Sequence, residues 1–447
     1  MKSFLSLAAA LSVVAGPVVA APKVCAECVK TDMARLAGPE ARGRACGAAD
    51  EHAAARYVAD RLKAYGIAPA AAGGGHLQEV RYSTPTYAQA PTLSVGDRTF
   101  TQGGDIVGLS LPASVSGALV VMTSATDAAA ASGKVVVLDA PFDQRAANAL
   151  LRAGALAVIA QPSTQIEGAW SELGHRPPPG VAIEGVETPL PAPRPIVFAR
   201  PTAFAALKAA AGQTATLSAP RGAPQAHATH NVLGVIRGTS SDADKQAILL
   251  SAHYDHVGVK DGVLYPGAND DASGTTAVLE FARMLSREKA PKRTIIFALF
   301  GCEEQGGHGS KLFQNKPPLP LADIAANLQF EMIGLPDPNH PRTLMLTGWE
   351  RSNLGPTLKA QGADLGPDPY PEQNFFQRSD NYALAVKGVV AHTVSAWPLT
   401  PTYHQPTDTI ENLDLGFMTQ VIQSLIGPIQ WLANSDFRPE WNPGMKP

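Results

Sequence analysis

Three apolar, strand-like runs in the second half of the sequence are each followed at once by ionisable residues. The run "AILLSAH" leads into Asp255, "IIFALFG" leads towards Glu303 and Glu304, and "NLQF" leads into Glu331. Charges at the ends of buried strands are costly unless something compensates them. Because parallel strands carry their sites at their carboxyl ends, the pattern predicts one charged site along one edge of a sheet.

The order of elements around these runs predicts an α/β fold. The strand candidates are "NVLGVIRG", "QAILLSAH", "RTIIFALFG", "AANLQFEMIG" and "GVVAHTVSA". A helix is expected in "SGTTAVLEFARMLSRE", with Ser273 as its N-cap, and a closing helix with a break or kink at Gly427-Pro428. We therefore expect a mostly parallel or mixed central sheet flanked by helices.

The 447 residues provide enough chain for two or three domains. Short β-like pieces around a single helix, "DQRAANALLRAGA", and no cluster of metal-type ligands indicate an inserted, β-rich, non-catalytic domain. The expected segments are a signal peptide at 1–20, the N-terminal part of the catalytic domain at 21–90, the insert at 91–219, the catalytic domain at 220–435 and a C-terminal tail at 436–447.

The first residues, "MKSFLSLAAALSVVAGPVVAAP", predict a secretory signal with cleavage after Ala20 or Ala21, and hence a secreted or periplasmic protein. A membrane anchor is the weaker interpretation, because the apolar run is short for a span. The formal net charge of -3 argues against nucleic acid or an anionic membrane as the main partner. We expect no stable membrane association, and the sequence does not indicate the oligomeric state.

The four cysteines permit disulfide bonds in an exported protein. The sequence permits a bridge from Cys25 or Cys28 to Cys46, which would hold the mature N-terminus in place, but it does not determine the connectivity. Cys302 lies in an apolar run and is interpreted as a buried free thiol. The "CAEC" segment also suggests a redox or zinc motif, but no second cysteine pair completes it.

The ionisable residues at the predicted sheet edge outnumber the ligands of one metal ion. A catalytic zinc usually has three protein ligands and a water, whereas this set offers two histidines and several carboxylates. The set suits two metal ions bridged by a carboxylate. Hydrolysis also needs a carboxylate free to accept a proton from water, and the adjacent Glu303 and Glu304 offer that division of roles.

The motifs "AHYDH", "PGANDDASG", "GCEEQG", "LQFEMIG", "RSDNYAL" and "YHQPTDT" occur in the order and approximate spacing of a known family. From Thr31 to Asn434 the sequence resembles the dinuclear zinc aminopeptidases of metallopeptidase family 28. The insert lies where that family carries a protease-associated (PA) domain. The resemblance implies the zinc exopeptidase fold, two Zn²⁺ ions per chain and peptide substrates.

The resemblance also implies a ligand for each metal. His253 and Glu331 would bind one zinc, Glu304 and His404 would bind the other, and Asp270 would bridge them. Cobalt or manganese would also accept these imidazole and carboxylate ligands.

Further roles follow from the same resemblance. Glu303 would be the general base, and Asp271 would hold the peptide beside the bridging carboxylate. Asp255 would form a hydrogen bond with the far nitrogen of His253 and fix its tautomer. Tyr403 would donate to the developing oxyanion.

Other polar and aromatic residues near the motifs have simpler interpretations. His256 is expected to support a ligand or lie on the surface, and His227 to His230 to lie in a solvated loop. His308 is expected at the pocket rim, and the role of Asn381 is open. Trp349, Phe375 and Phe376 either line a specificity pocket or belong to the core.

The leading hypothesis from the sequence is an exported zinc aminopeptidase. A carboxypeptidase or dipeptidase remains an alternative, although Arg378 is the only obvious candidate to bind a substrate carboxylate. A one-zinc glutaminyl cyclase is disfavoured because the two-metal set is retained. An inactive, receptor-like homologue is the alternative outside enzymes, although such relatives typically lose ligands and none is missing here.

Overall fold

The computed structural model describes residues 23–187 and 195–447. The predicted signal peptide lies outside the described residues. The strands are β1 Ala68–Pro69, β2 Leu77–Thr84, β3 Thr92–Val95, β4 Arg98–Thr101, β5 Ile106–Leu109, β6 Ser114–Met122, β7 Lys134–Leu138, β8 Ala157–Ala160, β9 Ala182–Ile183, β10 Ile196–Ala199, β11 Thr214–Ser218, β12 Gln225–Ile236, β13 Ala247–His253, β14 Gly258–Lys260, β15 Val263–Tyr265, β16 Ile295–Phe300, β17 Ile324–Phe330, β18 Leu344–Leu346, β19 Leu365–Pro367 and β20 Val390–Ser395.

The α-helices fall between these strands and at both ends of the described chain. They are α1 Ala26–Ala37, α2 Ala49–Ala64, α3 Gln144–Arg152, α4 Thr164–Gly168, α5 Trp170–His175, α6 Pro201–Ala209, α7 Gly274–Leu285, α8 His308–Asn315, α9 Leu354–Ala360, α10 Asp380–Val386 and α11 Leu415–Asn434. Within the described residues, every helix is too short or too polar to span a lipid bilayer.

The chain divides into two compact units. The first unit contains the described residues up to Gln78, His230–Ser310 and Pro317–Pro447. The second contains Glu79–Thr229, apart from 188–194, and Lys311–Lys316. The predicted insert, 91–219, lies within the second unit, and its likeness to a PA domain stays a prediction.

The first unit is built on a mixed sheet, as the sequence predicts. Its strands follow the order β19-β18-β20-β17-β13-β16-β12. Strand β13 pairs in parallel with both β16 and β17, and β17 pairs in parallel with β20. Strand β12 is antiparallel to β16. The carboxyl ends of β16, β13, β17 and β20 therefore meet at one edge.

Helices α1, α2, α7 and α11 share one apolar core with this sheet. All of α7 is buried, including its polar residues, because it packs against the sheet and against the other three helices. The closing helix has no break, since α11 runs without interruption through Gly427 and Pro428, and the alternative of a kink there stays a prediction. The mixed sheet with its packed helices confirms the predicted fold class.

The start of α7 differs from the prediction for Ser273. A short π-helix, Ala268–Ser273, leads directly into α7, so Ser273 already has helical backbone angles. Its hydroxyl donates to the carbonyl oxygen of Asn269 instead of capping α7. The sequence "NDDASG" thus forms a tight turn rather than a simple helix start.

The second unit has its own sheet, with strand order β4-β3-β11-β6-β7-β8-β10-β5. Strands β6, β7, β8 and β10 are parallel, with antiparallel pairs on both sides. The expected single helix is an underestimate, since the unit contains α3, α4, α5 and α6. The expected solvated loop at His227 to His230 is also wrong, because these residues lie in β12.

The disulfides differ from the bridge that the sequence permits, and the expected free thiol is wrong. Cys25 pairs with Cys28 across the first turn of α1, and Cys46 pairs with Cys302. Cys302 therefore is not a free thiol, because β16 ends at Phe300 and Cys302 turns away from the strand towards the N-terminal segment. The Cys46–Cys302 bond joins that segment to the residue before Glu303.

The two disulfides close very different lengths of chain, 3 and 256 positions. We expect Cys46→Ala/Cys302→Ala to lower the free energy of unfolding by about 2–5 kcal/mol, because the long link restricts the unfolded chain most. Cys25→Ala/Cys28→Ala is the matched control and should cost much less. The measurement is guanidinium unfolding without reductant, and equal losses in the two variants would contradict the expectation.

Candidate metal centre

Most of the predicted site residues lie at or just after the ends of strands that meet at the same sheet edge. His253 is the last residue of β13, and Glu331 follows the last residue of β17. Glu303 and Glu304 follow β16 after a two-residue turn. Asp270 lies in the π-helix before α7. His404 lies in a turn that is not next to a strand.

Asp270 lies between two groups of possible metal ligands. Its Oδ1 is 3.3 Å from Nε2 of His253, and its Oδ2 is 3.2 Å from Nε2 of His404. We call His253, Asp270 and Glu331 the His253 group, and His256, Asp270, Glu304 and His404 the His256 group. Within each group, one nitrogen or oxygen atom per residue lies within 4.8 Å of those of the others.

The groups bring together all five predicted metal ligands and add His256, which the sequence interpretation placed outside the ligand set. Nδ1 of His256 is 2.8 Å from Oε1 of Glu304. Oε2 of the same carboxylate is 3.0 Å from Nε2 of His404. Glu304 therefore lies between two imidazoles, while Glu303 belongs to neither group.

The buried polar atoms of these groups lack hydrogen-bond partners among the described residues. They are both ring nitrogens of His253 and of His256, Nε2 of His404, Oε1 of Glu304 and Oε2 of Glu331. Buried polar atoms are normally hydrogen-bonded, so such a concentration indicates ligand atoms. Imidazole nitrogens and carboxylate oxygens are zinc ligands, and the residues present therefore fit the metal that the sequence implies.

Burial and mutual repulsion shift the pKa values of the carboxylates. Burial raises the pKa of Glu331 to about 7. Burial also raises the pKa of Glu303 well above its ordinary value, and the negative charges of Asp380, Glu331 and Glu304 add to the rise although His253 opposes it. A neighbouring cation would reverse these shifts, because it favours the charged form.

The pKa shifts of the histidines reflect the same excess of negative charge at the site. Burial alone would lower the pKa of His404, but Asp270 and Glu304 raise it to about 10. Burial likewise opposes protonation of His253, yet Asp255 and Asp270 raise its pKa well above the ordinary value. The carboxylates of the site thus attract positive charge strongly.

Asp255 does not form the predicted hydrogen bond with His253. Its Oδ1 is 3.7 Å from Nδ1 of His253, too far for a hydrogen bond. Its two oxygens instead accept the backbone N–H groups of Glu303, at 2.9 Å, and Glu304, at 3.2 Å. Asp255 therefore positions the loop that carries the two glutamates.

Asp271, which follows Asp270 across a cis peptide bond, holds the backbone around the bridging residue. Its Oδ1 accepts the N–H groups of Gly274 and Met332, and its Oδ2 accepts that of His253. A Cβ at Gly274 would lie 2.5 Å from Oδ1, so only glycine leaves room for this carboxylate. One buried side chain thus connects three segments of the site.

Asp408 performs the same task from the C-terminal side, and the sequence interpretation missed it. Its two oxygens accept the N–H groups of Asn269, at 2.9 Å, and Asp270, at 3.1 Å. Burial raises the pKa of Asp408 to about 6 although both amides oppose the rise. Its position in "YHQPTDT", four residues after His404, was the signal available in the sequence.

Three non-glycine residues of the site have left-handed backbone angles. They are Cys302 (φ 57°), Met332 (φ 54°) and His404 (φ 52°). Two of them neighbour Glu303 and Glu331, and the third is itself in the His256 group. Backbone strain of this kind persists only where the surrounding structure holds it, and it concentrates at functional sites.

A pocket adjoins the His253 group. Glu331, Met332, Phe375, Arg378 and Tyr403 are among its lining residues. The ring of Tyr403 also stacks on that of His404, with centroids 3.9 Å apart. Tyr403 thus lies at the junction of the pocket and the His256 group.

The remaining candidates lie outside this pocket. Phe376 is buried against His392 and Trp441, and Trp349 packs against the core. His308 is buried rather than at the rim. Asn381 is also buried, where its amide oxygen accepts from Thr393 and its amide nitrogen donates to the carbonyl of Phe376, so it supports the fold beneath the pocket.

Residues 231–427, which contain every member of both groups, match the model of peptidase family M28. This segment, which is less than half of the chain, is therefore similar to peptidase family M28. This confirms the family resemblance drawn from the sequence motifs.

Relatives of this chain carry peptidase names. A "Probable lipoprotein aminopeptidase LpqL" of Mycobacterium tuberculosis is 28% identical over 217 residues, covering 40% of this chain and 41% of the relative. A "Vacuolar membrane protease" of Candida tropicalis is 39% identical over 209 residues, covering 46% of this chain and 22% of the relative. The chain thus spans less than half the length of the curated relatives it matches.

Two solved structures share the fold of this chain. An aminopeptidase from Aneurinibacillus sp. strain AM-1 superposes with a TM-score of 0.58 at 20% identity, covering 95% of this chain and 97% of that one. BSAP, a zinc aminopeptidase from Bacillus subtilis, superposes with a TM-score of 0.55 at 20% identity, covering 92% and 96%. At this identity the likeness establishes the fold alone.

The role of Asp408 in this candidate metal centre can be tested by Asp408→Asn. The new amide NH₂ would face one of the two backbone N–H groups, so the position of Asp270 should relax and zinc affinity should fall by roughly 10–100-fold. The matched control is Asp414→Asn, since Asp414 accepts the N–H of Phe417 at the start of α11 and contacts neither group. Competition titration with a chromophoric chelator measures both, and equal affinities would contradict the assignment.

Proposed function

We propose that the chain is a zinc-dependent aminopeptidase that removes N-terminal residues from peptides. The observation that carries the proposal is the sharing of Asp270 by the two ligand groups, with the carboxylate of Glu303 beside them and in neither. His253 and Glu331 would hold one Zn²⁺, Glu304 and His404 the other, and Asp270 would bridge both. Bound there, zinc would polarise the substrate carbonyl and lower the pKa of water.

The protein's own groups supply the proton transfers. Glu303 would take the proton of the attacking water and give it to the leaving amine. The same carboxyl lies close to Glu304 and Glu331 but belongs to neither ligand group, so it stays free to accept the proton and release it again. Asp255 holds the backbone of Glu303 in place for this role.

The pocket beside Glu331 supports cleavage at a chain terminus. A substrate's free α-amine would lie against Glu331, whose Oε2 has no hydrogen-bond partner among the described residues. The first side chain would enter the pocket lined by Met332 and Phe375, and Tyr403 would donate its hydroxyl to the oxyanion. The free amine thus gains an acceptor that an internal peptide bond cannot use.

We also propose that the protein is exported. The two disulfides, which leave no free cysteine in the described chain, support an oxidising compartment. The N-terminal sequence is typical of a secretory signal. The insert at 91–219, proposed as a PA-like domain, would influence substrate size rather than metal binding, since the groups above come from the first unit.

The test of the proposed function is hydrolysis of amino-acid p-nitroanilides by the zinc-loaded protein and two variants. Glu303→Gln should lower kcat by roughly 10²–10⁴-fold with zinc content unchanged, because the amide cannot accept the proton. Glu304→Gln is the comparison that should lose zinc as well as activity. Full activity of Glu303→Gln, or of wild-type protein stripped of metal, would refute the proposal.

One observation favours a second candidate, a dipeptidase. Arg378 lines the pocket beside Glu331 and stacks over the ring of Phe375, which leaves its charge available to a substrate carboxylate. Arginine binds carboxylates in a bidentate manner. This would suit a substrate whose carboxylate lies one residue from the cleaved bond.

Free, N-blocked and C-blocked dipeptides separate the two candidates. An aminopeptidase should cleave the free and C-amidated dipeptides and spare the N-acetylated one. A dipeptidase should require both free ends, and Arg378→Gln should then raise KM for the free dipeptide about tenfold or more, as expected for the loss of a charged hydrogen bond. Lys387→Gln, which removes a cation outside the pocket lining, is the matched control.

A further inference from the structure

His256 is held as firmly as the five predicted ligands. Its side chain is fully buried, and its ring lies directly over Gly267, where a Cβ would be 2.3 Å from the ring carbon Cγ. Its backbone N–H donates to the carbonyl of Arg44, which is itself buried. The ring therefore has a fixed place between the N-terminal segment and the π-helix.

The contacts of Nδ1 of His256 are those of a ligand atom. It lies 2.8 Å from Oε1 of Glu304 and 3.9 Å from Oδ2 of Asp270. Despite the short distance, neither Nδ1 nor Oε1 forms a hydrogen bond of acceptable geometry with any described residue. Nδ1 and Oε1 are both electron-pair donors, and their placement suits binding to one cation between them better than bonding to one another.

The two ligand groups are consequently unequal. The His253 group offers one imidazole and the carboxylates of Asp270 and Glu331, whereas the His256 group offers two imidazoles and the carboxylates of Asp270 and Glu304. Three protein ligands leave a zinc ion an open position, while four complete a tetrahedral set. Additional imidazole also favours zinc over the harder manganese or magnesium.

We propose that His256 is a protein ligand of the metal ion that Glu304 and His404 would hold. We call this the His256 site and the other the His253 site, and the extra ligand makes the His256 site the tighter of the two divalent-cation sites. This rests on the metal centre of the proposed function and adds a ligand to it. The His253 site then keeps the open coordination position and exchanges its metal more readily. Loading proceeds in order, with the His256 site filled first.

Competition titration of the metal-stripped, full-length protein with Zn²⁺ tests the proposal without using activity. Wild-type protein should bind one equivalent at least about tenfold more tightly than the second, as expected for the extra ligand. His256→Ala should weaken the tight class and leave the weaker class in place. His253→Ala should do the reverse, which assigns each class to its group.

His392→Asn is the matched control for removing a buried histidine. His392 is also fully buried on β20, but its Nε2 lies 2.7 Å from Oγ of Ser352 and its Nδ1 lies 2.8 Å from the carbonyl of Thr347. Both nitrogens thus have partners within the protein. The variant should keep both zinc affinities whatever it costs in stability, and thermal unfolding of each variant verifies its fold.

The outcomes separate this inference from the proposed function. Two equal classes in wild-type protein, or unchanged affinities in His256→Ala, would overturn the inference and leave a two-metal peptidase. An equal loss at both sites in His256→Ala would also overturn it, because His256 would then act through Asp270, which both groups share. If wild-type protein bound no zinc, the proposed function would fall with it. If His256→Ala does not fold, two equal classes in the titration of wild-type protein would still overturn the inference.

Discussion

Burial of several carboxylates at one sheet edge is the constraint on which the rest of this site depends. Moving isolated carboxylates out of water is expensive, so each needs a compensating partner. Asp255, Asp271 and Asp408 have such partners, since each accepts two or more backbone N–H groups. These three carboxylates therefore belong to the scaffold of the site.

The carboxylates that belong to the two ligand groups lack this compensation. Among the described residues, no backbone N–H donates to the carboxylate oxygens of Asp270, Glu304 or Glu331. They face imidazoles that they hold at elevated pKa values, as His404 illustrates. The division between satisfied and unsatisfied carboxylates thus separates the residues that build the site from the members of the two groups that could hold a metal ion.

The N-terminal segment supports this edge from outside the strand order. The buried guanidinium of Arg44 donates to the carbonyls of Tyr254, Pro266 and Gly267, so it ties the loop after β13 to the turn that carries Asp270. Burial lowers its pKa to about 10, although the aspartates of the site oppose the shift. The disulfide from Cys46 to Cys302 and the acceptor Glu51 fix the turn before Glu303 in the same way.

The sequence predicted well the features that depend on hydrophobic periodicity and on where strands end. The strands that end at His253, Phe300 and Phe330 are apolar runs whose boundaries the ionisable residues mark, and the parallel pairing follows from the intervening helices. The turns are less predictable. Nothing in the spacing of "HYDH" indicates that the chain after β13 turns so that His256 meets Glu304. Nor does the sequence show that Cys302 leaves its strand.

Asp255 illustrates why such roles resist assignment from sequence alone. It lies near His253 in the chain and within 3.7 Å of its ring, but its hydrogen bonds go to the backbone of Glu303 and Glu304. A single carboxylate therefore influences a predicted ligand of one metal, a predicted ligand of the other and the proposed base. Its removal should act on all three together, so effects at these positions will not be additive.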